Sequence, residues 1–139
     1  MASLLGACAA TAPPGDAAVA PDSNSRDLAC VLPSNCVSSR SNGNLEPLRY
    51  TGPPTRAMAL LQATLTTFSE ATVVRREPMA LNVIFTTPVG FRDEVDFRID
   101  AEAQRIDFRS RSLFGLFDWG KNRSRMQEFR ARFKQQSLR

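Results

Sequence analysis

Residues 91–112, FRDEVDFRIDAEAQRIDFRSRS, decide the fold. Two alternating runs flank a short polar stretch. In the first, 91–100, Val95, Phe97 and Ile99 fall on one face, and Glu94, Asp96, Arg98 and Asp100 on the other. In the second, 105–112, Ile106 and Phe108 alternate with Arg105, Asp107, Arg109 and Arg111. A period of two marks half-buried strands. With 101–104 as a four-residue loop, Asp100 faces Arg105, Arg98 faces Asp107, Asp96 faces Arg109 and Glu94 faces Arg111. Ile99–Ile106 and Phe97–Phe108 then pair on the apolar face. Each opposite-charge or apolar rung contributes about 0.2–1 kcal/mol. A slip of one residue turns the charges inward. A slip of two sets Arg98 against Arg105, or Asp100 against Asp107. The stretch therefore reads as an antiparallel hairpin with one favoured register, its charged rungs lying in solvent as ordinary exposed pairs.

Outward toward the C-terminus, residues 109–125 read RSRSLFGLFDWGKNRSR. The strand breaks at Gly115 and Gly120, which permit backbone angles closed to other residues. A helix then starts. Asp118 or Asn122 can cap it, and Ser124 with Gln127 offers a capping box one turn in. Met126, Phe129 and Phe133 share one stripe of this helix, while Arg123, Arg130, Arg132 and Lys134 mostly populate the others. Toward the N-terminus, residues 81–87 alternate Leu81, Val83 and Phe85 with Asn82, Ile84 and Thr86, and 71–76 is a short β-branched run. Before them Thr55, after two prolines, is a good N-cap. Ala57, Leu60, Leu61, Thr64, Leu65 and Phe68 form one apolar helical stripe. The expected fold is α+β: a mostly antiparallel sheet of about four strands with two helices packed on one face.

The 139 residues allow one domain, placed at 28–139. Residues 1–27 read as a leader and flexible tether rich in Ala, Pro, Asp and Ser. The leader's apolar run is too short to span a bilayer. Leu5-Gly6-Ala7-Cys8 resembles a bacterial lipobox, in which the cysteine receives lipid. Only seven uncharged residues precede Cys8, fewer than such a signal needs. Two readings stand: a truncated lipoprotein signal with Cys8 as its lipidation site, or a chance match in an Ala-rich leader.

Charge is distributed unevenly. Residues 109–139 carry +7 and the remainder −3. A basic C-terminal third suits an anionic partner, unless its arginines pair with the acidic strand before them. Histidine is absent, which removes the usual general base and the commonest zinc ligand. Cys30 and Cys36 are too few for a structural zinc. They form a local disulfide if the compartment oxidises, or leave Cys36 as a nucleophile needing a nearby cation. No metal or cofactor is expected.

The ordered residues resemble domain-of-unknown-function family 1499. The match runs from Cys30, through Pro33 and Asn35, to Cys36-Val37-Ser38-Ser39. It continues with Pro47, Leu48 and Tyr50, and the acidic stretch from Asp93 to Phe97. The strongest signature supplies Arg109, Ser110, Ser112, Gly115, Asp118, Gly120, Asn122, Arg123 and Arg125. Leu113 stands where the family has a second arginine, and Phe117 and Trp119 are bulkier than its pattern. The resemblance implies a small α+β domain of bacterial envelope proteins and plastid-containing eukaryotes, with no established activity. It places the chain in the cell envelope, lipid-anchored or periplasmic.

Three functions follow from these residues. The first is a non-catalytic domain, structural or binding an anionic ligand or lipid headgroup. The helix N-terminus after Gly115 would present free N–H groups, with Arg109, Ser110, Ser112, Asn122, Arg123 and Arg125 nearby, and Cys36 and Ser38 on the adjoining segment. Against it, Asp118 can fill that corner itself, making the signature a folding motif, which is the commoner arrangement. The second is an enzyme using Cys36, Ser38 or Ser39 as nucleophile, with Arg109 and Asp118 in support. Without histidine no Ser/His/Asp or Cys/His set exists. The third is membrane or protein docking through Leu113, Phe114, Leu116, Phe117 and Trp119, flanked by cations. Set against docking is the expectation that several of these residues plug the open end of the core. Specific nucleic-acid binding is not expected, since no reader motif is present.

Overall fold

The computed structural model describes residues 28–40 and 45–139. The leader, Cys8 and the tether lie outside the described residues, as do Asn42, Gly43 and Asn44, whose sequence suggests a turn.

Antiparallel strands β3 (Ala71–Glu77), β4 (Ala80–Thr86), β5 (Arg92–Asp100) and β6 (Arg105–Ser112) form the body of the sheet. The expected hairpin register is the one observed, from Glu94↔Arg111 through Asp100↔Arg105. The sheet has six strands rather than about four. The additional two, β1 (Cys36–Ser38) and β2 (Leu48–Arg49), are too short to show a period. Both lie along β6: β1 pairs with Arg109–Arg111 and β2 with Arg105 and Ile106. Where this edge breaks, Ser39 replaces a strand carbonyl. Its Oγ accepts from the Phe108 amide at 2.8 Å, keeping a backbone donor satisfied.

Helices α1 (Pro54–Leu65) and α2 (Lys121–Ser137) cover one face. Pro54 rather than a capped Thr55 begins α1, since proline's fixed φ and missing N–H suit the first helical position. Lys121 begins α2 one turn before the expected capping box, which leaves Ser124 inside the helix. Phe129 of α2 is fully buried, with ring centroids 5.0 Å from Phe97 and 5.7 Å from Phe68. Phe68 in turn meets Phe85 edge-on at 5.6 Å. These rings join sheet to helices.

The other sheet face carries the charged rungs, and they are not the ordinary exposed pairs expected. Asp96, Arg98 and Asp107 are buried among their neighbours. Asp96 accepts from Arg109 Nη2 at 2.9 Å and from Asn82 Nδ2 at 2.6 Å. Arg105 leans along its own strand to Asp107, 3.0 Å away, rather than across to Asp100 at 3.9 Å.

Candidate functional site

The residues of the strongest signature divide between the two sheet faces. Strand alternation sends Ser110 and Ser112 toward the helices, and Arg109 and Arg111 away from them.

On the helix side, the signature closes around Asn122, which is fully buried. Its Oδ1 accepts from Ser110 Oγ at 2.6 Å and Arg125 Nη1 at 3.0 Å. Its Nδ2 faces Asp118 Oδ2 at 2.7 Å, Ser112 Oγ at 3.0 Å and the Asn35 carbonyl at 3.2 Å. Asp118 also accepts from the Gly120 amide at 2.9 Å and the Asn122 amide at 3.1 Å. The carboxylate thus occupies the helix N-terminus that an external anion would need. Arg125 is committed as well. Its Nη2 lies 2.6 Å from Asp93, and its guanidinium sits 4.9 Å above the Phe85 ring. Lys121 adds a second contact to Asp93 at 3.0 Å. The corner is a folding lock joining β6, the 113–120 loop, α2 and the segment before β1. Arg123 takes no part in it, and its side chain has no hydrogen bond or ion pair among the described residues.

Asp93 and Asn35 belong to the family pattern but were not assigned to the site from the sequence. The signal for Asp93 was its phase: it continues Val95, Phe97 and Ile99 on the apolar face, where a lone carboxylate needs a cation. Asn35 gave none, because its role is set by its backbone carbonyl and by one long-range side-chain bond.

On the open face, Cys36 is held in a disulfide with Cys30, the Cα atoms 5.6 Å apart. Ser38 is buried; its hydroxyl donates to the Leu28 carbonyl and accepts from the Arg40 amide at 3.0 Å. Arg109 lies on this face, with Asp118 across the sheet from it. The structure therefore does not assemble Cys36, Ser38, Arg109 and Asp118 as the enzymatic reading needs, and Cys36 carries no free thiol. Among the described residues no group of His, Cys, Asp or Glu could hold a metal ion. An open cleft of about 400 Å³ here is lined by Arg75, Asn82, Glu94, Asp96, Arg98, Arg109 and Arg111. Arg109 Nε is buried beside it without a hydrogen-bond partner.

The third group of candidates is the most exposed. Phe114, Leu116, Phe117 and Trp119 are 75%, 64%, 64% and 93% exposed. They do not plug the core; Phe129, Phe133 and Met126 already close it from α2. Phe91, unflagged in the sequence, stacks on Phe114 at 6.1 Å, and Phe117 meets Trp119 at the same distance. The loop is braced from behind. Ser34 Oγ donates to the Leu116 carbonyl, Asn35 Nδ2 to the Gly115 carbonyl at 2.9 Å, and the Asp118 amide to the Ser34 carbonyl at 3.1 Å. Trp119 holds φ at +55°, a left-handed conformation that bulky residues avoid. The four rings together expose on the order of 500 Å² of aromatic surface. The largest apolar patch on a typical monomer is about 300–600 Å² and is often functional.

The fold and this end of it define a small, disulfide-tied α+β domain with a braced aromatic loop. The family pattern described as "Protein of unknown function (DUF1499)" matches residues 28–133. The chain belongs to this family. No curated protein matches it.

Proposed function

We propose that this is a non-catalytic docking domain of the cell envelope, which holds a partner surface with its aromatic end. The observation that carries the reading is the exposure of Phe117 and Trp119 on a loop already fixed by three hydrogen bonds to residues 34 and 35. A braced loop gives up little entropy on binding, so its aromatic area is available for affinity. The Cys30–Cys36 disulfide supports an oxidising compartment, and a lipid on Cys8 would keep the domain at a membrane. The test is a photo-crosslinking residue at position 117 in cells, with position 102 at the far end of the β5–β6 hairpin as control. The reading expects an adduct, protein or lipid, at 117 alone. Equal labelling at both positions, or none at 117, removes it.

A second reading rests on Arg109, whose buried, unpartnered Nε borders the open-face cleft. A small carboxylate or phosphate could complete it. Calorimetry with inorganic phosphate and acetate tests this: binding should vanish in Arg109→Met, and heats no larger than dilution exclude the site.

A further inference from the structure

We infer that the surface taken by the aromatic end is an anionic lipid bilayer. This rests on the docking reading above and names its partner.

Side-chain chemistry comes first. A tryptophan, three phenylalanines and two leucines project from one end of the molecule, Phe91 and Leu113 half-exposed and the others more so. Aromatic rings settle at the boundary between headgroups and acyl chains, and leucine beside them reaches the hydrocarbon. The backbone makes the loop a protrusion. Gly115 and Gly120 hold φ at +87° and +78°, and with Trp119 between them they turn the chain back into α2. Trp119 keeps a disfavoured conformation while almost wholly exposed, its one ring contact among the described residues being Phe117.

Charge is the second, independent observation. Arg92 follows Phe91, and Lys121 and Arg123 follow Gly120. The side chains of Arg92 and Arg123 have no hydrogen bond or ion pair among the described residues. The neighbouring acids are all engaged: Asp118 by Gly120 and Asn122, Asp93 by Arg125 and Lys121, Glu94 by Arg111 at 2.7 Å. Asp118, bonded only to neutral amides, keeps its charge, but Arg92, Arg111, Lys121, Arg123 and Arg125 outnumber Asp93, Glu94 and Asp118, so the aromatic end sits in a net positive field. An anionic bilayer offers an apolar layer under a negative one, in the same order. A protein partner would need a groove both apolar and acid-rimmed.

Trp119 is the only tryptophan in the chain, so intrinsic emission reports on the loop directly. The experiment uses the full chain carrying Cys8→Ser, so that no acyl anchor contributes. Vesicles of phosphatidylcholine mixed with phosphatidylglycerol should shift the emission to the blue, and brominated acyl chains should quench it. Pure phosphatidylcholine should do neither. Phe114→Ser with Phe117→Ser should weaken binding by at least about tenfold, since each ring loses apolar burial. Arg92→Gln and Arg123→Gln should each weaken it roughly five-fold, as should raised salt. All variants should keep the parent melting temperature. Absence of any shift with anionic vesicles overturns the lipid assignment, as does an equal shift with neutral ones. If vesicles fail but the crosslinker at 117 captures protein, docking stands and only the lipid falls. If both fail, both fall.

Discussion

Arg125 and Asp93 meet at 2.6 Å beneath the core, with side chains only 9% and 1% exposed. This pair fixes the start of α2 against β5, and hence sets where the aromatic loop leaves the sheet. Breaking a buried pair from one side strands a charge and costs about 3–5 kcal/mol, whereas replacing both partners with apolar groups is often neutral. Asp93→Asn should therefore destabilise strongly, and Asp93→Leu combined with Arg125→Met much less than the sum. Lys121, whose side chain is 37% exposed, should cost under about 1 kcal/mol when changed to Met. Urea unfolding of the set measures this, and simple additivity would show that the pair is not coupled.

Asn122 is the centre of the polar lock, and its amide orientation matters more than its volume. Asn122→Ala removes five side-chain contacts and leaves buried partners unmet, a loss of about 2–4 kcal/mol. Asn122→Asp fits the same space but sets a carboxylate against Asp118 Oδ2, where Nδ2 now donates at 2.7 Å. At neutral pH the aspartate variant should melt below the alanine one. The reverse order would mean that the lock tolerates a second negative charge.

How far the chain could be read in advance follows from the same contacts. The hairpin register was legible because its charges and apolar residues are both periodic, and any slip is penalised twice. The short edge strands were not, since two or three residues have no period and owe their place to β6. At the corner, Asp118 was visible as a cap, but Arg125 looked available for a ligand. Its partner Asp93 lies 32 positions away and meets it only once α2 folds back on β5. The aromatic loop was misjudged for a different reason. Hydrophobicity says that Phe117 and Trp119 want cover, but not whether the cover comes from the same chain. Here α2 fills the core with its own phenylalanines, leaving the loop's rings outside.

The disulfide and the aromatic loop should be coupled. Cys36 anchors β1, and the segment closed by the Cys30–Cys36 bond contains Ser34 and Asn35, which brace the loop. Closing so small a ring contributes about 2 kcal/mol by restricting the unfolded chain. Reduction, or Cys36→Ser, should lower the melting temperature by roughly 8 °C. It should also speed hydrogen exchange at residues 113–120 more than in α1. Uniform acceleration across the domain would indicate lost stability without a specific link to the loop.

Tyr50, the only tyrosine, gives a pH signature. It is buried at the end of β2, and its hydroxyl lies 3.4 Å from the Asp100 carbonyl. Burial, and secondarily the charge of Asp100, raise its pKa above the ordinary 10.0. A phenol whose folded pKa is raised favours the folded state while protonated. Its contribution is whole below pH 10 and is lost as pH climbs through the folded pKa. The ultraviolet phenolate band should therefore appear above pH 10 and track unfolding. Tyr50→Phe should leave neutral stability within about 1 kcal/mol, the hydrogen bond being long, and make the alkaline fall in melting temperature shallower. A phenolate band that titrates at or below pH 10 in folded protein would place Tyr50 in contact with water and remove the coupling.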